Sequence, residues 1–231
     1  MAKFEVILAD PAWSFSDSLT MSKTKRGAQS QYGVLSDQDI VDLDVKSIAA
    51  DDAVLVLWVP SSKLQTGLDT MTAWGFDQKQ TFIWVKTKKP ENIFKSVKSQ
   101  LIKDIRARLV DKKAKIFSPE LLDAFNLNQI LSFFMGRLFR QTHEIALVGV
   151  RGKAYTYLEN KSQRSVMFGE NIKHSAKPEE LQDRLDLMFP TASKIELFAR
   201  RERSGWETAG NECPSSKGED IRDSIKRLKL K

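Results

Sequence analysis

Five apolar runs of strand length, separated by stretches with helical periodicity, limit this chain to an alternating α/β layout. The runs lie at 4–8, 53–59, 82–85, 144–150 and 194–200. Pro60 stops the second, and Arg151-Gly152 closes the fourth. A helix with Leu64, Leu68, Met71 and Thr72 on one face is predicted after Pro60, ending near Gly75. Another is predicted from Pro178 to about Met188, where Pro followed by Glu179 and Glu180 makes a good helix start. The alternation argues for a doubly wound, mostly parallel sheet. Ligands of such sheets bind beyond the carboxyl ends of the strands. At that edge of the first run stand Ala9-Asp10-Pro11-Ala12-Trp13, an acid, a proline and an aromatic ring together. A turn with a core tryptophan is the competing reading of this pentapeptide.

With 231 residues, the chain can bury the core of one α/β domain plus an insertion. No apolar run approaches the ~20 residues of a membrane span. The sequence opens directly on a strand, so no signal peptide is expected. Cys213 is the single cysteine, so no intramolecular disulfide can form and a reducing, cytoplasmic setting is expected. With His143 and His174 the only histidines, a zinc site of the usual type is not expected, and no metal is assigned. The net charge of +7 suggests an anionic partner, nucleic acid first.

The α/β rhythm breaks over 87–135, which is read as a basic helical insertion. Ile93, Phe94, Val97, Leu101, Ile102, Ile105 and Leu109 recur at helical spacing. Ser118-Pro119-Glu120 opens a second predicted helix, and a third is placed from Asn128 to Phe134. Between Lys86 and Lys115 stand eleven Lys/Arg against three Asp/Glu, a net +8. A solvated helix face accounts for such charge; its concentration in one segment favours a contact with phosphates. Residues 213–231 read as a basic tail or short helix. The expected organisation is therefore one domain over 1–86 and 136–212, the insertion, and the tail.

Further patterns follow in order: Tyr32-Gly33-Val34-Leu35, Ile83-Trp84-Val85-Lys86, His143-Glu144, His174-Ser175-Ala176-Lys177-Pro178, Lys194-Ile195-Glu196-Leu197-Phe198-Ala199-Arg200, and Gly210-Asn211-Glu212. Together with Asp10-Pro11-Ala12-Trp13, this set resembles the MT-A-type N6-adenine methyltransferases. The resemblance spans 4–86 and 136–212. It implies a Rossmann-like fold in the circular order that places the catalytic motif before the cofactor motif. It also implies S-adenosylmethionine as methyl donor and the N6 amine of adenine as acceptor. DNA is favoured because the compact chain is similar to small bacterial and phage members; RNA is the alternative. The family tetrapeptide is Asp-Pro-Pro-Trp, and here Ala12 holds the third position, which gives up a fixed φ.

The roles implied by the resemblance fall on particular residues. Asp10 and the Pro11 carbonyl would accept hydrogen bonds from the amine, with Asp10 also near the cofactor. Trp13 would stack on the base and Tyr32 would form a second wall. Lys177 would take the cofactor carboxylate, with a solvated lysine as the competing reading. Glu196 and Arg200 would reach the ribose and nearby polar groups, with a salt bridge as the alternative. Asn211 and Glu212 would contact ribose or adenine. Independently of the resemblance, the charge of the insertion makes Lys112, Lys113 and Lys115 candidates to hold the nucleic acid, with Arg140 and with Lys86, which the resemblance sets at the carboxyl edge of a strand. A P-loop ATPase is excluded because no GxxxxGK[ST] loop is present. A non-catalytic nucleic-acid-binding subunit of the same fold is the remaining rival, and a homodimer or partner subunit is left open.

Overall fold

The computed structural model describes residues 3–14, 35–110, 130–132, 138–170 and 176–230. Its strands are β1 (Phe4–Ala9), β2 (Ala49–Val59), β3 (Asp77–Thr87), β4 (His143–Arg151), β5 (Val166–Glu170), β6 (Lys194–Leu197) and β7 (Glu207–Ala209). Its helices are α1 (Asp37–Val41), α2 (Leu64–Ala73), α3 (Pro90–Val110), α4 (Glu180–Met188) and α5 (Ile221–Leu230). The strands hydrogen-bond in the order β5-β3-β4-β2-β1-β6-β7. Strand β1 pairs in parallel with β2 and with β6, β6 pairs in parallel with β7, and β2 meets β4 antiparallel. Val6, Ile7, Leu8 and Ala9 are all buried, as expected of a strand flanked by parallel neighbours.

The chain divides into two compact units. The first comprises residues 1–83, 144–165 and 180–231, and the second 84–143 and 166–179. The core of the first gathers Ile7, Trp13, Ile40, Leu55, Leu57, Trp74, Ile195 and Leu197. Helix α1 begins at a capping box, with Asp39 N–H donating to Ser36 Oγ and Ser36 N–H to the Asp39 carboxylate. Helix α5 joins the same core through Ile221, Ile225 and Leu228, at i, i+4 and i+7. The segment read as a basic tail or short helix forms a helix that contributes apolar side chains to the fold.

In the second unit, the Trp84 indole N–H donates to the Gly169 carbonyl at 3.0 Å. Helix α3 forms where Ile93 to Leu109 show helical spacing, and it has no fully buried residue. The helix expected from Asn128 to Phe134 is not continuous. Ile130 and Ser132 exchange backbone hydrogen bonds with Lys88 and Lys86, and Leu131 bridges antiparallel to Thr87. The second expected helix of the insertion, like Tyr32, Lys112, Lys113 and Lys115, lies outside the described residues. Strands β5 and β7 match none of the five apolar runs; each is short, and of β5 only Met167 is buried.

Candidate active site

Asp10 leaves the sheet immediately after β1. Register sets Leu8 opposite Glu196 and Ala9 opposite Leu197. The Asp10 N–H then donates to the Leu197 carbonyl at 3.4 Å, extending the β1–β6 ladder by one long bond. On the other side of β1, the Trp13 indole N–H donates to the Trp58 carbonyl of β2 at 2.9 Å. The loop Asp10–Trp13 is thus tied to both strands that flank β1. Between the ties, Trp13 N–H donates to the Pro11 carbonyl at 2.9 Å, closing a three-residue turn around the exposed Ala12. These bonds supply rigidity that a second proline would otherwise give.

They also bear on two expected roles. The Pro11 carbonyl accepts one backbone hydrogen bond and, like any carbonyl, has a second lone pair. Trp13 is 4% exposed and packs in the core. That placement is the one the core reading of this tryptophan expects.

Glu196 sits on β6 beside this loop. Gln182 of α4 donates its amide N–H to Glu196 Oε2 at 2.7 Å, and Arg201 donates to the Gln182 amide oxygen at 3.0 Å. Burial pushes the Glu196 carboxyl above its usual range; Arg201 and the Gln182 bond oppose this, and the Asp10 charge adds to it. Asp10 and Glu196 therefore form an acidic edge at the carboxyl ends of two adjacent parallel strands. Gln182 and Arg201 were not singled out by sequence. A polar residue beside Leu181 on an amphipathic helix reads as solvent-facing, yet Gln182 is 2% exposed.

The strand expected through Arg200 ends at Leu197. Phe198 has φ 63°, in the left-handed region that an aromatic residue rarely adopts. The turn is held by Ala199 N–H donating to the Ala209 carbonyl at 3.0 Å. Gly210 lies against it so closely that a Cβ there would fall 2.2 Å from the Ala199 carbonyl oxygen. Arg200, exposed beyond the strand, pairs with Glu212 at 3.6 Å. Asn211 is exposed, and its carbonyl accepts from Gly218 N–H. Asp10, Glu196, Arg200, Asn211 and Glu212 all belong to the first unit.

Lys86, Arg140 and Lys177 belong to the second. Lys86 is 8% exposed, with its ammonium 4.9 Å from the centroid of the Trp84 ring, an enclosed cation–π contact. Arg140 is exposed, and Lys177 is half-buried. Lys177 stands three residues before Glu180, where α4 begins, so the helix starts two residues later than Pro178. Among the described residues no cluster of His, Cys, Asp or Glu could hold a metal ion, and no helix is long and apolar enough to cross a membrane.

Comparison with known proteins places this geometry in a family. The type II methyltransferase M.MunI of Mycoplasma sp is 28% identical over 230 residues, covering 93% of this chain and 80% of that protein. The N(6)-adenosine-methyltransferase subunit METTL3 of Danio rerio is 25% identical over 214 residues, covering 92% of this chain. An N(6)-adenosine-methyltransferase MT-A70-like protein of Arabidopsis thaliana is 24% identical over the same length. The chain spans only 28% and 24% of those two longer relatives. The MT-A70 family model matches residues 4–110 and 125–212, and on that extent the chain belongs to the MT-A70 family, α/β methyltransferases whose methyl donor is S-adenosylmethionine.

Proposed function

We propose that this protein transfers a methyl group from S-adenosylmethionine to the N6 amine of adenine in DNA. The observation that carries the reading is the tethered Asp10–Pro11 loop beside Glu196, where acceptors for an amine and for a hydroxyl share one strand edge. The residues of this edge fit the methyl donor in kind. Two carboxylates complement a sulfonium cation, and Gln182 takes only Oε2 of Glu196, which leaves Oε1 to face a ribose hydroxyl. Lys177 is the proposed partner of the donor's carboxylate, and Asn211, Glu212 and Arg200 of its polar groups. When bound, S-adenosylmethionine supplies an electrophilic methyl on a positively charged sulfur.

The chain's own part is orientation and electrostatics. The adenine amine is planar because its lone pair is delocalised into the ring. The Asp10 carboxylate and the Pro11 carbonyl accept its two N–H groups and favour a tetrahedral nitrogen with an available lone pair. Asp10 needs little basicity, since a methylated ammonium sheds its proton readily. Preorganised acceptors of this kind act through the transition state rather than through ground-state affinity. The base must be presented outside a duplex stack. Trp13 serves this arrangement by anchoring the loop.

Nucleic acid is proposed to run along α3. Lys95, Lys98, Lys103 and Arg106 follow one another at i, i+3, i+8 and i+11 and are all exposed. Lys112, Lys113 and Lys115 come next in the sequence, and Arg140 is a further exposed cation of the same unit. DNA is preferred because the chain covers most of a type II methyltransferase. RNA is the second reading, favoured by the relatives named for adenosine, a ribonucleoside. Labelled methyl transfer to double-stranded DNA, single-stranded DNA and RNA, with nucleoside digestion to locate the label, tests both. N6-methyladenine in DNA alone supports the first reading, label confined to RNA replaces it with the second, and label in neither polymer refutes both.

A further inference from the structure

We propose that Gln182 is a positioning residue of the cofactor site: its buried amide, oriented by Arg201, fixes the Glu196 carboxylate to accept a ribose hydroxyl of the methyl donor. The proposal rests on the reading of Glu196 as a cofactor residue.

The orientation of the amide follows from its neighbours. A guanidinium has donors only, so the atom of Gln182 that meets Arg201 at 3.0 Å must be the amide oxygen. The NH2 group then faces Glu196, an acceptor, at 2.7 Å. A flipped amide would set NH2 against guanidinium and oxygen against carboxylate, with both contacts repulsive. Arg201, Gln182 and Glu196 thus form a polarised series from cation to anion, and each bond strengthens the next. Gln182 is 2% exposed on a helix whose other buried side chains are Leu181 and Leu185. An amide buried among leucines is costly unless both its ends are satisfied, and here both are.

The geometry has a chemical consequence. Glu196 accepts a hydroxyl best as a carboxylate. Burial and the Asp10 charge from β1 favour its protonated form. Arg201 and Arg203, on the stretch after β6, and the Gln182 bond from α4 favour the ionised form. Removing the Gln182 bond therefore raises the pH at which Glu196 takes up a proton. Affinity for the methyl donor, present above that pH, is then lost earlier as pH falls.

The test is calorimetric binding of S-adenosylmethionine to the full chain as a function of pH, with Gln182→Met as a near-isosteric replacement. The expected result is affinity weakened about tenfold or more at neutral pH, and an acid limb displaced to higher pH. Glu196→Gln should weaken binding and remove that limb, and adding Gln182→Met to Glu196→Gln should cost little more. A merely structural role for Gln182 would weaken binding equally in both backgrounds and leave the limb in place, which overturns the proposal. Unchanged affinity in Glu196→Gln would overturn the reading of Glu196 as a cofactor residue, and the proposal with it. Should Gln182→Met fail to fold, Arg201→Met removes the orienting cation from a half-buried position. It should displace the limb in the same direction, and an unmoved limb there refutes the proposal.

Discussion

Replacing Trp13 by Phe should slow methyl transfer out of proportion to its effect on stability. The substitution keeps an aromatic ring in the core and deletes the indole N–H that reaches the Trp58 carbonyl at 2.9 Å. A buried carbonyl deprived of a donor costs about 1–3 kcal/mol. The smaller ring leaves a void on the order of 40 Å³, which adds about 1 kcal/mol at ~24 cal/mol per Å³. The total, about 2–4 kcal/mol, corresponds to a fall in Tm of roughly 4–16 °C for a chain of this size. The loop that carries Asp10 and Pro11 also loses its tie to β2, while the long bond from Asp10 N–H to Leu197 and the Ser14 bonds to Asp37 stay. A displacement of about 1 Å in positioned acceptors costs up to about 100-fold in rate. Trp74→Phe is the matched control. Trp74 is fully buried, and its indole N–H also donates to a backbone carbonyl, that of Ile40 at 3.1 Å. Thermal melts and initial rates well below either Tm would show similar stability losses, with kcat lowered about tenfold or more only in Trp13→Phe. Equal rates in the two variants would refute the idea that the indole bond positions the loop.

Asp10→Ala should reduce kcat by roughly two to three orders of magnitude while S-adenosylmethionine still binds, as measured by single-turnover transfer and calorimetry; near-normal turnover would remove Asp10 from the mechanism. Gly210→Ala drives a Cβ into the Ala199 backbone, which cannot swing aside as a side chain would, so chemical denaturation should show a loss of at least about 2 kcal/mol, and a neutral effect would contradict the close approach. Changing Lys95, Lys98, Lys103 and Arg106 together to Gln should raise the nucleic-acid KM and flatten its salt dependence by about one unit of slope for each phosphate no longer neutralised, with the affinity for S-adenosylmethionine unchanged. A salt slope equal to that of the unaltered protein would assign this face of α3 to solvent.

The strands that build the site were legible because burial on both faces writes itself into sequence as an apolar run, as in Val6-Ile7-Leu8 and Leu55-Val56-Leu57. The acidic edge was legible too, since Asp10 and Glu196 interrupt or follow such runs. What pattern could not give was the end of β6. Phe198 has good strand propensity, and its left-handed backbone is imposed by Ala209 and Gly210, which arrive from another part of the chain. Nor could it give Gln182, whose burial depends on Glu196 and Arg201 being there to satisfy it. Trp13 illustrates a third limit. An aromatic beside a catalytic motif suits a stacking surface and a core anchor equally well in sequence, and only packing separates the two. The polar stretch before Ile221 concealed in the same way that α5 belongs to the core.

The pairing of β1 with β6 ties together parts of the chain that lie far apart: the Glu5 carboxylate accepts from Ser193 N–H across 188 residues. Pairings of such long range are slow to form, because the intervening loop must close before they repay its entropy. During synthesis Asp10 emerges before Glu196 and waits, with an apolar strand beside it, until Glu196 has been made. No incomplete chain lacking 180–230 can present both carboxylates, so on the proposed reading of this edge the methyl donor should bind only after both have been made.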